Sequence, residues 1–195
     1  MMRFFEGGKY SKVRDKMLPL IEACGSINGK TVLDVGANDG ENTAFLITQG
    51  AQAYALEPLK DRLESAIVEG RVPREHAIKA TLQDLPAEYF GKFDVVFVSL
   101  FSIPFVDREK FFERLSQACK PEGVVVIGTE NEEFITGKHG VKTFQSYASR
   151  VFFSVNVKTT DSSLNKFVVI CRAPKVTAEN RVSAEPVSPT IRGGK

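Results

Sequence analysis

Thr31-Val-Leu-Asp-Val-Gly-Ala-Asn-Asp-Gly-Glu41 is the stretch that decides the fold. Its first five residues are almost wholly apolar, the composition of a strand buried on both faces of a parallel sheet. The run ends in Asp34-x-Gly36-x-Asn38-x-Gly40, and a helix-period segment, Glu41 to Gln49, comes next and stops at Gly50. A strand that passes through a glycine-rich loop into a helix opens a strand–helix–strand unit. In open parallel sheets, ligands sit beyond the carboxyl ends of such strands, near the point where strand order reverses. Glycine lets the backbone turn sharply and approach a ligand with no Cβ in the way. Asn38 takes a position where glycine is common, and asparagine is among the few residues that tolerate positive φ.

The chemistry of the loop narrows its ligand. A dinucleotide fingerprint needs G-x-G-x-x-G, with glycines that admit a pyrophosphate at the helix N-terminus. Here the glycines are four apart, and Asp34, Asp39 and Glu41 crowd the loop with negative charge. Three carboxylates are a poor cradle for phosphate, and the Gly-Lys-Ser/Thr of a P-loop is absent. An acidic loop suits a ligand with cationic groups, such as an ammonium and a sulfonium.

Outward from the loop, short apolar runs alternate with helix-period segments, the pattern of a parallel sheet flanked by helices. Lys9 to Cys24 reads as an opening helix with Val13, Met17, Leu20, Ile21 and Cys24 on one face. Gln52 to Glu57 is a second strand. Pro58 opens a helix whose Leu63, Ala66 and Ile67 face inward before Gly70. His76 to Ala80 is a third strand, and Phe93 to Val98, the strongest β signal, a fourth. Asp107 is an N-cap for a helix carrying Phe111, Phe112, Leu115 and Cys119. Lys120-Pro-Glu-Gly123 then turns the chain into a fifth strand, Val124 to Gly128. Phe152 to Lys158 and Lys166 to Cys171 are separated by Thr160-Asp-Ser-Ser, too short for a helical crossover, so this pair is antiparallel. Residues 174–195 are polar and punctuated by Pro174, Pro186, Pro189, Gly193 and Gly194, and read as a flexible tail behind a single domain of residues 1–173.

Val32-Leu-Asp-Val-Gly-Ala-Asn-Asp-Gly40 resembles motif I of the class I S-adenosylmethionine-dependent methyltransferases. Glu57 matches the family's acidic residue at the end of the second strand. Phe93 to Leu100 matches its strand 4 motif, and Lys120-Pro121-Glu122-Gly123 resembles its Lys-Pro-Gly-Gly turn before strand 5. The resemblance runs from Tyr10 to Arg172, with four motifs in register. It implies a three-layer α/β sandwich: a mostly parallel seven-stranded sheet, last strand antiparallel, with helices on both faces.

The resemblance also implies a cofactor, S-adenosylmethionine, and a site. Asp34 orients the loop and its contacts to the methionine amine. Gly36 and Gly40, with Ala37 and Asn38, allow close approach. Glu57, with Pro58 after it, accepts from the ribose hydroxyls. The family's adenine-binding acidic residue is replaced by Thr81, which leaves Thr81, the Leu82 backbone and Asp84 as candidates for that contact. Ser99 follows the fourth strand, where the transferable methyl sits. The opening helix, residues 9–24, is expected to cover the site, and its Tyr10 and Arg14 fall where small relatives close over the cofactor.

The segment after the fourth strand bears on the methyl acceptor. Ser99 to Phe105 is apolar and lacks both the Asn/Asp-Pro-Pro-aromatic motif of base-amine methyltransferases and the Pro-Cys of C5-cytosine enzymes. DNA is therefore disfavoured, and transfer to O or N of a small molecule is the leading reading. Alternatives are an RNA or protein methyltransferase, and a catalytically silent cofactor-binding subunit. Aminopropyl transfer would need acidic residues around an amine channel, which the apolar stretch does not offer. Phe101 and His139 are candidate substrate contacts beside Tyr10, with Glu130 and Tyr147 weaker; an exposed loop histidine is the plainer reading of His139. The sulfonium is already reactive, so alignment and exclusion of water can suffice and no catalytic base is assigned. Asp94 reads as structural and His76 as inert.

Bulk properties set the frame. The chain has 195 residues and a net charge of +2, too weak to argue for a nucleic-acid or membrane partner. No apolar run approaches the roughly 20 residues of a membrane span, and residues 1–12 carry no secretory h-region. Cys24, Cys119 and Cys171 have no metal-ligand spacing, so no metal is expected, and reduced thiols fit a cytoplasmic protein.

Overall fold

The computed structural model of the chain describes residues 11–100, 108–129, 141–161 and 166–175. Seven strands, β1 (Thr31–Val35), β2 (Gln52–Leu56), β3 (Ala77–Ile78), β4 (Phe93–Leu100), β5 (Cys119–Thr129), β6 (Phe152–Asp161) and β7 (Lys166–Pro174), form one sheet. Their order is β3-β2-β1-β4-β5-β7-β6. The five strands from β3 to β5 are mutually parallel, and β7 runs antiparallel to both β5 and β6. Successive strands step one way from β1 to β3 and the other way from β4 onward. The carboxyl ends of β1 and β4 therefore border the switch point at which such sheets bind ligands.

Period-2 alternation divides the core. Val32 of β1 joins Phe97 of β4 and Val126 of β5 in a cluster with Val13, Met17 and Leu20 of α1 (Ser11–Cys24) and Phe45 and Leu46 of α2 (Glu41–Thr48). Leu33, Val96 and Ile127 face the other way, onto Phe111, Phe112 and Leu115 of α4 (Arg108–Ala118) and Ala148 of α5 (Val141–Val151). Between β2 and α4 in sequence, α3 (Lys60–Val68) contributes Leu63 and Ala66 to a smaller cluster with Ala37, Ala55 and Val72. The result is the three-layer sandwich that the alternation of segments predicts. Each fully buried Leu or Phe stabilises it by about 1.5–3 kcal/mol. The spacing of Val13, Met17, Leu20 and Cys24, all buried, holds α1 on the sheet although Pro19 lies within the helix.

Several elements differ from the sequence expectation. Strand β3 is only two residues long, because a 3-10 turn over Arg74–His76 takes its expected start. Cys119 is not on α4; it opens β5 opposite Phe93. Lys120-Pro-Glu-Gly123 does not end one element and begin another but lies within β5 as an irregularity, the register jumping from Phe93↔Cys119 to Val95↔Val124. A Cβ on Gly123 would stand 2.5 Å from Cys119 Sγ and 3.0 Å from the Asp94 carbonyl oxygen, so that bend requires glycine. Helix α5 had no counterpart in the sequence reading. At the far end, Pro174 pairs with Phe152, and the Lys175 N–H donates to the Val151 carbonyl at 2.7 Å. The domain boundary at residues 173/174 therefore falls inside the sheet. Asp107 and the rest of the predicted tail, residues 176–195, lie outside the described residues.

The amino ends of the strands are closed by stacked rings. Tyr54 lies on His76 with centroids 4.2 Å apart, and Tyr89 stacks on Phe93 at 6.3 Å. The Lys92 ammonium sits 4.6 Å from the Tyr54 centroid and 4.8 Å from that of Tyr89. His76 thus serves packing at the edge opposite the switch point.

Candidate active site

At the carboxyl end of β1 the chain makes three excursions into the left-handed region: Gly36 at φ 74°, Asn38 at φ 55° and Gly40 at φ 76°. The loop is pinned to β2. Gly36 N–H and Ala37 N–H both donate to the Leu56 carbonyl, at 2.9 and 3.1 Å. Asn38 N–H donates to Glu57 Oε2 at 2.9 Å, while Leu59 N–H donates to Oε1 at 3.0 Å. Glu57 is buried, and its carboxylate ties the loop to the start of α3. On the outer side Arg71 donates through Nη1 to the Asp39 carbonyl at 2.8 Å and also pairs with the Asp39 carboxylate.

The two loop glycines serve different ends. A Cβ on Gly36 would meet nothing within 4 Å, so this glycine leaves open space where the chain borders a cavity. A Cβ on Gly40 would lie 2.7 Å from Val72 Cγ2 and 2.9 Å from Ala66 Cβ. Gly40 is thus demanded by packing against the α3 side, with its absent side chain turned into the core.

Asp34 lies beneath the loop, fully buried on the α1–α2 face of the sheet. Its Oδ2 accepts from Thr43 Oγ1 at 2.7 Å, and Oδ1 has no hydrogen-bond partner. Burial pushes its carboxyl up to about 6; the Thr43 hydrogen bond and the Lys16 charge pull it back, and the Glu57 charge adds to the rise. An unmatched carboxylate oxygen in the interior is costly unless a donor arrives.

A cavity of about 290 Å³ lies over this end of β1, near the lower limit of small-molecule pockets. Gly36, Ala37, Asn38 and Asp39 form its floor, Glu41 and Asn42 of α2 one wall, Ser99 of β4 another, and Lys12, Val13 and Lys16 of α1 the third. Residues 33–127 match the family described as a methyltransferase domain. The match runs from β1 through the loop and β4 into β5.

Over 117 residues the chain is 33% identical to a ubiquinone biosynthesis O-methyltransferase of Chromobacterium violaceum, an alignment covering 58% of the chain and 50% of that protein. It is 25% identical over 169 residues to phosphoethanolamine N-methyltransferase 2 of Caenorhabditis elegans, covering 85% of the chain and 37% of the relative. The chain thus spans half or less of the length of these curated relatives. The crystal structure of 1,6-didemethyltoxoflavin-N1-methyltransferase of Burkholderia thailandensis, bound to 1,6-didemethyltoxoflavin and S-adenosylhomocysteine, superposes with a TM-score of 0.63 at 15% identity. That match covers 84% of this chain and 78% of the Burkholderia chain, and it shows the shared fold.

Of the residues singled out from sequence, Gly36, Ala37, Asn38 and Ser99 line the cavity; Asp34 and Gly40 do not. Glu57 is tied to the same loop, with Pro58 exposed beside it. Thr81, half-buried, donates its hydroxyl to Asp84 Oδ2 at 2.6 Å, and Leu82 is buried in the core; neither lines the cavity. Arg14 is exposed and paired with Asp15, away from it. Tyr147 packs against the α4–α5 side of the core. Tyr10, Phe101, Glu130 and His139 lie outside the described residues. Sequence reasoning missed Lys12, Lys16, Asn42 and Arg71. The lysines are one helical turn apart beside the buried Val13–Met17 stripe, a spacing visible in the sequence. Arg71 gave no such signal, because it reaches the loop from 32 positions away. Among the described residues no helix is long and apolar enough to cross a membrane.

Proposed function

We propose that this chain binds S-adenosylmethionine over the Asp34–Gly40 loop and methylates O or N of a small molecule. The observation that carries the reading is Asp34 Oδ1, a buried acceptor without a donor beneath the loop whose Gly36 to Asp39 line a cavity at the switch point. An α-ammonium group supplies that donor, and its charge suits a carboxylate that burial otherwise holds protonated. Glu57 spends one lone pair of each oxygen on a backbone N–H, which leaves a second on each for a pair of vicinal hydroxyls. On this reading Thr81, the Leu82 backbone and Asp84 remain the candidates for the adenine contact, and Pro58 for a contact beside the ribose. When bound, the cofactor supplies a methyl group on a positively charged sulfur.

The chain's own work is alignment and exclusion of water. Val13 and Met17 hold α1 against the sheet, so the helix closes one side of the cavity. Ser99, near the end of β4, also lines the cavity, and on this reading it borders the reacting groups. The O- and N-methyltransferase names of the two relatives support both acceptor types. Cys24, Cys119 and Cys171 are buried and form no disulfide, which supports a reducing, cytoplasmic setting.

The experiment is transfer of a radiolabelled methyl group from S-adenosylmethionine into fractionated host extract by the isolated chain. The reading expects label in the small-molecule fraction. Label in RNA or protein alone would move the acceptor to a macromolecule, and label nowhere would leave a silent cofactor-binding subunit.

A further inference from the structure

We infer that Arg71 is a positioning residue of the proposed site: it holds the Asp39–Gly40 peptide and so sets how tightly the loop takes its ligand. The inference rests on the proposed cofactor site and deepens it. Arg71 follows α3, is not part of the cavity lining, and belongs to none of the motifs that the sequence matches.

The loop depends on contacts to keep its shape. Asn38 at φ 55° and Gly40 at φ 76° flank Asp39, and the chain's own preferences do not select two left-handed residues so close together. Gly40 N–H donates to the Ala37 carbonyl at 2.9 Å. From the other side Arg71 Nη1 donates to the Asp39 carbonyl at 2.8 Å and stands 3.6 Å from Asp39 Oδ2. The peptide between Asp39 and Gly40 is therefore fixed at both of its polar ends. Its carbonyl is turned to a side chain outside the cavity lining.

Arg71 is itself anchored along its length. Gly70 at φ 71° closes α3, and Arg71 N–H and Val72 N–H both donate to the Ala66 carbonyl, at 2.9 and 3.2 Å. Val72 is buried against the space that the missing side chain of Gly40 leaves. At the tip, Nη2 donates to Glu69 Oε2, while Glu69 Oε1 accepts from Ser65 Oγ at 2.8 Å. The arginine side chain is only 16% exposed, so solvent screens its contacts little. Displacing the Asp39 peptide would disturb Asn38, whose N–H donates to Glu57 Oε2. That is the carboxylate which the proposed function gives to vicinal hydroxyls. Arg71 thus acts on the ligand through Asp39 and Asn38, both of which line the cavity.

The test titrates the full chain with S-adenosylhomocysteine by calorimetry, well below the Tm of each variant. Arg71→Met should weaken binding about tenfold or more, the scale of a charge-assisted hydrogen bond. Amide exchange at Asn38 and Gly40 should rise in that variant, while exchange in β4 and β5 stays as in the wild type. Arg71→Lys keeps a donor for the Asp39 carbonyl but cannot serve Glu69 as well, and should lose only about threefold. Glu69→Gln alters a half-exposed partner of Arg71 and should also lose about threefold, the scale of such an ion pair. Arg74→Met removes an equal charge from the exposed Arg74–Glu64 pair and should bind as the wild type does. A purely structural role for Arg71 would lower Tm yet leave the affinity of the folded protein and the exchange of the loop unchanged. Wild-type affinity in Arg71→Met overturns the proposal; if that variant does not fold, wild-type affinity in both Arg71→Lys and Glu69→Gln does so. An equal loss in Arg74→Met overturns it too. A wild type that binds no S-adenosylhomocysteine overturns the cofactor reading itself, a result distinct from the others.

Discussion

Two aspartates on adjacent strands of one sheet have opposite surroundings. Asp94, at the amino end of β4, is satisfied on both oxygens: Oδ2 accepts from Thr31 N–H at 2.9 Å and Oδ1 from Lys120 Nζ at 2.7 Å. Partial burial works to raise its carboxyl, but the Lys120 and Thr31 hydrogen bonds and the lysine charges outweigh it and hold the group below the usual range. Asp34, at the carboxyl end of β1, is fully buried and half satisfied, and sits above that range at about 6. Asp94 strengthens the fold by joining the starts of β1, β4 and β5. Asp34, ionised, weakens the unliganded fold, and the proposed function gives its free oxygen a partner in the ligand. The contrast extends to the two edges of the sheet, one closed by stacked rings and the other opened by a left-handed loop.

The loop itself gives the largest expected effect. Gly40→Ala forces a Cβ into Val72 and Ala66 at a left-handed backbone position and should cost about 3 kcal/mol, lowering Tm by roughly 10 °C. Gly36→Ala, at a similar φ with open space around it, should cost about 1 kcal/mol. Thermal unfolding of the two variants reads the difference, and equal losses would mean that packing does not distinguish the glycines.

Next is the charge on Asp34. Asp34→Asn should weaken S-adenosylhomocysteine binding about thirtyfold, roughly 2 kcal/mol, while the unliganded protein keeps or gains stability at neutral pH. The carboxyl sets the sign. Its folded value, about 6, is above the reference 3.8, so its stabilising contribution is complete below pH 4 and lost as pH rises through 6. The rise corresponds to about 3 kcal/mol against the ionised form. Ligand affinity has the opposite pH dependence. Binding requires the carboxylate, so affinity should fall below pH 6, approaching tenfold per pH unit, and Asp34→Asn should flatten the profile. The smallest effect belongs to Asp94→Asn. With its ion pair partly exposed, the variant should lose about 1 kcal/mol of stability and hold ligand affinity within about twofold.

Much of the fold was legible in the sequence because it is local. The strand–loop–helix unit from Thr31 to Thr48, the left-handed Asn38 and the antiparallel closing pair all depend on spacing within a few residues. The features that escaped are those the fold brings together from afar. Arg71 reaches Asp39 across the loop, and α1 delivers Lys12 and Lys16 to a cavity built around residues more than twenty positions away. Gly40 was legible as a required glycine, yet the reason, contact with Val72 and Ala66, depends on how α3 packs. Strand β3 was read too long because apolar content marked it without showing that a 3-10 turn claims its start.

The central claim, that the cavity above Asp34 binds the cofactor, is tested most directly by unfolding the wild type with and without S-adenosylhomocysteine. At ~100 times its dissociation constant the ligand should add about 2.7 kcal/mol at pH 7.5. At the same concentration, Asp34→Asn and Glu57→Ala should show a much smaller gain. No stabilisation of the wild type, or an undiminished gain in both variants, would contradict the account.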